Sequence, residues 1–144
     1  MTAAQELTLS VEQEIDISTT PEAAFESLLA RLGPSNEVPG GAPMPMVLEP
    51  RPGGRWFRQT GDEEGHLWGL VQVIKAPTIL EISGPLFMSY AAINHVQFRI
   101  TPTDQGCRLS LRHLALGMID ADHRQGVTQG WGHLLQGVRS HAEH

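Results

Sequence analysis

The sequence predicts an α+β fold: a curved antiparallel sheet of about seven strands wrapped around a long C-terminal helix, with a short helix after the first strand. Three observations carry this. Apolar residues recur with period two over residues 7–17 and again over residues 95–113, the pattern of strands with one buried face. Turn residues interrupt the chain repeatedly between these two stretches. The last quarter then changes to helical period, with Val127, Trp131, Leu134, Leu135 and Val138 forming one apolar stripe.

The elements follow in order. Leu7, Leu9, Val11, Ile15 and Ile17 sit on odd positions, with Gln13 the exception. Ser18-Thr19-Thr20-Pro21-Glu22 then reads as a helix start, combining a hydroxyl N-cap, a proline at the first helical position and an acid in the first turn. Phe25, Leu28, Leu29 and Leu32 follow at helical spacing, and Gly33-Pro34 ends the run. Residues 33–54 hold six prolines and five glycines, which excludes a long helix and leaves residues 44–49 as an edge strand. Pro52-Gly53-Gly54 turns the chain into a strand over 55–60, and residues 61–65 turn it into another over 66–76. Ala76-Pro77-Thr78 precedes a strand over 79–83. Residues 84–92 are apolar but irregular. Val96, Phe98 and Ile100 then alternate with polar neighbours, as do Leu109, Leu111 and His113 after the turn at 103–106, indicating antiparallel strands with one wet face. The final helix runs over about 120–141. Its glycines 126, 130, 132 and 137 each cost ~1 kcal/mol relative to alanine, so either something approaches this helix closely or packing alone sustains it. Such a helix lies across the concave face of the sheet, and the imperfect closure between them leaves a pocket.

Composition bounds the function. The 144 residues, 40% apolar, suit one domain over 1–144 that buries roughly 68–70% of its unfolded surface. A net charge of −6 without any basic run argues against nucleic-acid and anionic-membrane partners, which need clustered cations. The single Cys107 excludes an internal disulfide. Residues 1–10 lack a basic segment followed by an apolar one, and no apolar run nears the ~20 residues of a membrane span. The expectation is a soluble, cytoplasmic protein. Its seven histidines show no His-Glu-x-x-His spacing, and no paired cysteines or Gly-x-Ser-x-Gly elbow occur. Neither a metal nor a cofactor is therefore expected. Asp62-Glu63-Glu64 reads as a solvated turn.

Three patches carry a resemblance. They are Ile17-Ser18-Thr19-Thr20-Pro21-Glu22-Ala23-Ala24-Phe25; Arg51-Pro52-Gly53-Gly54-Arg55-Trp56 with Gly69-Leu70-Val71; and Leu109-Ser110-Leu111-Arg112-His113 with Gly130-Trp131-Gly132-His133-Leu134-Leu135. In order and spacing, over about residues 7–141, the chain resembles the START-like (SRPBCC) superfamily, in the branch named after the activator of heat-shock-protein-90 ATPase. The resemblance implies a helix-grip fold with a deep apolar cavity between sheet and C-terminal helix. It also implies binding of hydrophobic ligands and, occasionally, catalysis. No shared catalytic set comes with it. Many relatives carry a tryptophan in the loop after the first helix, where this chain has only Met44 and Met46.

The leading expectation is thus a small hydrophobic molecule held by Trp56, Trp68, Phe87, Met88, Tyr90, Phe98, Leu111, His113 and Trp131, without turnover. A homodimer is compatible with the sequence. His113 shares parity with Leu109 and Leu111, so it points inward and is expected to be neutral. It is either a core histidine bonded to backbone or to the last helix, or an acid/base group. The alternatives are therefore an enzyme of polyketide cyclase or dehydratase type using His113 or Tyr90, and a chaperone-interacting module.

Overall fold

A computed structural model describes residues 6–144. Residues 1–5, part of the segment read above as free of leader features, lie outside the described residues. The elements are β1 (Thr8–Ile17), α1 (Pro21–Leu32), β2 (Val47–Leu48), β3 (Arg55–Gly61), β4 (Glu64–Lys75), β5 (Ile79–Gly84), β6 (Ala92–Thr103), β7 (Gly106–Gly117) and α2 (Ala121–Glu143). All seven strands join one antiparallel sheet in the order β1-β7-β6-β5-β4-β3-β2. Strands β2 to β7 form a meander, and β1 lies against β7 along its whole length.

Local chemistry sets the boundaries. Thr20 caps α1, its Oγ1 accepting from Ala23 N–H at 3.2 Å, and Asp120 caps α2 by accepting from Asp122 and His123 N–H. The edge strand expected over 44–49 shrinks to Val47–Leu48, paired with Phe57 and Trp56, because prolines 43, 45 and 50 donate nothing to a ladder. The turn expected over 61–65 also contracts. Gly61 pairs with Glu64, which leaves Asp62 and Glu63 as the loop, with Glu63 in the left-handed region at φ 55°.

Inward residues of the sheet (Leu9, Val11, Ile82, Val96, Phe98, Ile100, Leu109, Leu111) form one buried cluster with Phe25 and Leu28 of α1. Val127, Trp131, Leu134, Leu135 and Val138 of α2 complete it. The centre of the sheet–helix interface is therefore packed solid. The open space between them is a pocket at one end. Three register shifts, at Trp56/Phe57, Gln59/Gly61 and Val71/Val73, interrupt the β3–β4–β5 side. Bulges of this kind bend a strand and re-aim side chains. Trp56 pairs with Gly69 and Phe57 with Leu67, so Trp68 is the extra residue between them. Gly69 is obligatory here, because a Cβ would fall 2.6 Å from Ile82 Cγ2 and 2.9 Å from the Ser83 carbonyl oxygen.

Candidate pocket and its polar network

At that end of the sheet lies a pocket of about 400 Å³. Arg31 and Leu32 of α1 and residues 36–39 and 44 of the following loop form one side. Trp56, Trp68 and Phe87 form the floor, and the first half of α2, from Asp122 to Leu134, forms the opposite wall. The aromatic floor is a chain of edge-to-face contacts. Ring centroids are 5.1 Å apart for Trp56–Trp68, 5.8 Å for Trp68–Phe87 and 5.2 Å for Phe87–His123. Such geometry brings the positive edge of one ring to the negative face of the next. Trp56 is further fixed by donating from Nε1 to the Leu32 carbonyl at 2.8 Å, which satisfies an orphan carbonyl at the end of α1.

The glycines of α2 have different reasons. Gly137 lies under the Arg31 guanidinium, where a Cβ would come within 2.5 Å of Nη2. Gly126 and Gly130 line the pocket, and a Cβ on either would meet no heavy atom within 4 Å. They leave space on the pocket side of the helix.

Behind the pocket wall sits His113, fully buried. Trp131 Nε1–H donates to His113 Nδ1 at 2.9 Å. His113 Nε2–H donates to Asn94 Oδ1 at 2.6 Å, and Asn94 Nδ2 donates to the carbonyls of Gly84 and Pro85. Each group in this relay has one role that its neighbour completes, which fixes the Nε2–H tautomer. Burial pushes the His113 pKa down to about 4, since desolvation disfavours the imidazolium. The sequence reading of an inward, neutral histidine bonded to the last helix agrees with this geometry. With both ring nitrogens engaged, His113 has none free to exchange a proton with a molecule in the pocket. Trp131→Phe removes the only N–H on Nδ1 and is expected to cost about 1–3 kcal/mol. A chemical melt of the two proteins checks this; equal stability would mean that the bond contributes nothing.

Two polar clusters edge the pocket. Glu37 Oε1 receives Arg31 Nη2 at 2.9 Å and His133 Nε2 at 3.0 Å. The Arg31 bond first, and the His133 bond second, hold the Glu37 carboxyl below its ordinary range. At the other end Tyr90 stacks on His123 at 5.6 Å and 23°, with its hydroxyl 2.7 Å from His123 Nδ1.

Of the residues expected to bind, the structure brings Trp56, Trp68, Phe87 and Trp131 to the pocket, together with Met44. It places the others elsewhere. Met88, Phe98, Leu111 and His113 lie in the core behind these walls, and Met46 is buried as well. Tyr90 stands one ring back, against His123. Sequence reasoning missed Arg31, Glu37, His123, Gly126 and His133. The last three, with Gly130, recur at helical spacing on one face of α2, and that recurrence was the available signal. Among the described residues, no three His, Cys, Asp or Glu side chains gather as a metal site, and no helix is long and apolar enough to cross a membrane.

A curved antiparallel sheet gripping a C-terminal helix, with a pocket at one end of the contact, defines a helix-grip protein of the START-like type. The chain belongs to the family described as Activator of Hsp90 ATPase homolog 1-like protein, whose family model matches residues 42–143. Solved structures share the fold. A protein from Rhizobium leguminosarum aligns with a TM-score of 0.73 at 13% identity, over 94% of this chain and 95% of its own. One from Mesorhizobium loti aligns at 0.68 and 18%, over 92% and 95%. The di-domain ARO/CYC StfQ from the steffimycin biosynthetic pathway aligns at 0.69 and 16%, over 97% of this chain and 52% of its own, so the chain spans about half of that protein. At these identities the likeness is one of fold. No curated protein matches the sequence.

Proposed function

We propose that the protein binds a small, largely apolar molecule in the pocket between α2 and the Trp56–Trp68–Phe87 floor. The observation that carries this is the open, aromatic-walled space of about 400 Å³ beside Gly126 and Gly130. That volume falls in the ~300–1,000 Å³ range of ligand sites, and apolar walls with a few polar groups are their usual make-up. Helix glycines cost stability, and these two are matched by no packing neighbour, which fits a position kept clear for a guest. The net charge of −6 also fits a small uncharged partner better than a polyanion. We place the protein in the cytoplasm on the sequence reading.

Native mass spectrometry of protein from its own host, combined with titration of the neutral probe N-phenyl-1-naphthylamine, tests the proposal. One co-purifying molecule per chain, displaced by the probe, is expected. Trp68→Ala should weaken probe binding at least tenfold while costing less stability than the ~3–5 kcal/mol of a fully packed aromatic truncation, because Trp68 is only half-buried. A protein that carries no small molecule and leaves the probe dark would refute the reading. The likeness to StfQ supports a cyclase-type alternative at the level of fold, but the histidine it would use faces Trp131 and Asn94.

A further inference from the structure

We infer that His123 is the polar contact that orients the guest, and that the pocket selects apolar molecules bearing a neutral carbonyl oxygen. This rests on the binding reading above and specifies its ligand. The Tyr90 hydroxyl oxygen accepts from Asp120 N–H at 3.1 Å and stands 2.7 Å from His123 Nδ1. With that backbone N–H directed at the oxygen, the hydroxyl's own hydrogen is free to point at Nδ1, the arrangement that places the imidazole proton on Nε2. Tyr90 stacked on one side and Phe87 edge-on at 5.2 Å hold the ring in place. His123 forms part of the pocket wall, and no group among the described residues bonds to Nε2. His123 therefore presents a preorganised N–H donor at one end of the aromatic floor, while at the other end the buried Arg31 Nε also has no partner among the described residues.

The charges around it decide which acceptor it prefers. Asp122 lies on the same rim, and Glu37 lies on the far side with its charge offset by Arg31. Asp122, exposed on the rim, would repel a ligand carboxylate, whereas a ketone, ester or quinone oxygen takes the hydrogen bond without that repulsion. Tyr90 acts as a positioning residue: it touches His123 and sets the tautomer.

Three naphthalene probes, titrated into the full chain by quenching of tryptophan fluorescence, test this. The 2-acetyl compound should bind about three- to tenfold tighter than 2-ethylnaphthalene, the range of one neutral hydrogen bond, and tighter than 2-naphthoate. In His123→Leu the acetyl-to-ethyl ratio should collapse to about one. In Tyr90→Phe it should fall, and ¹⁵N shifts of the His123 ring should change from a single Nε2–H form to a tautomer mixture. Acetyl and ethyl probes binding equally to the unaltered protein would overturn the carbonyl assignment and leave the pocket reading standing. A ratio that survives His123→Leu, or an unchanged ¹⁵N signature in Tyr90→Phe, would overturn the role given to that residue. Failure of all three probes to bind would overturn the pocket reading, and this inference with it.

Discussion

Gly130→Leu will weaken probe binding by at least about tenfold while leaving the protein as stable as before or more so. The two effects have one origin. In an α-helix glycine is about 1 kcal/mol worse than a good helix former, so leucine at this position adds helix propensity. A Cβ built on Gly130 meets no heavy atom within 4 Å, so the added side chain has room to extend into the pocket that Gly130 lines. For a chain of this size, ~1 kcal/mol raises the melting temperature by roughly 2–4 °C. Gly137→Ala is the internal contrast. There the new methyl would lie 2.5 Å from Arg31 Nη2, the nitrogen bonded to Glu37, so the guanidinium must move, the propensity gain is offset and the melting temperature should rise less than in Gly130→Leu. Thermal melts paired with N-phenyl-1-naphthylamine titrations check both variants. If Gly130→Leu binds the probe as well as the parent, the guest does not lie against this face of α2. If it melts lower, the space beside Gly130 is not open.

The contrast among these glycines shows where sequence reasoning stops. Periodicity located α2 and its buried stripe, because Val127, Trp131 and Val138 need only be apolar at the right spacing. The same pattern says nothing about what a glycine faces, since a missing side chain is equally consistent with a close neighbour, as at Gly137, and with empty space, as at Gly130. Trp68 is a second case. Parity along β4 left its face undetermined, and the bulge opposite Trp56/Phe57 is what turns it toward Trp56. A one-residue insertion flips the parity of the residues beyond it, so apolar residues fall on both parities of this strand and the pattern assigns neither face. His123 was hidden for another reason: its partner Tyr90 lies 33 positions away in an irregular segment, and nothing local couples the two. His113 was legible because strand parity alone turned it inward. Its bonds to Trp131 and Asn94 were not, since they depend on how the helix is laid across the sheet.

Stability should fall by about 3 kcal/mol as the pH drops from 7 to 4, and His113→Gln should abolish most of that dependence. In the unfolded chain the imidazole titrates near 6.5. In the fold, burial lowers its pKa to about 4. Between these values the unfolded state binds a proton that the folded state refuses, so protons favour unfolding. The His113 contribution is fully present above about pH 6.5 and declines as pH falls toward 4. Below that both states are protonated and the difference stays constant. At 1.36 kcal/mol per pKa unit the interval amounts to about 3 kcal/mol. The carboxylates act lower: Glu49, held at about 2 by its bonds to Arg55, loses its contribution only as the pH falls below the ordinary glutamate range. Glutamine is the informative replacement because its carbonyl can accept from Trp131 and its amide can donate to Asn94, which keeps the relay without a titrating group. His113→Leu keeps the bulk but leaves the Trp131 N–H and the Asn94 oxygen buried without partners, at about 1–3 kcal/mol each. It should therefore be the least stable of the three proteins at pH 7. Urea melts at pH 7, 5.5 and 4.5 separate the contributions. The parent and the glutamine variant should differ little at pH 7 in slope with pH, then diverge as the medium is acidified. Parallel curves for the two, or an NMR titration in which the folded His113 protonates near 6.5, would show that the imidazole is not held neutral by burial.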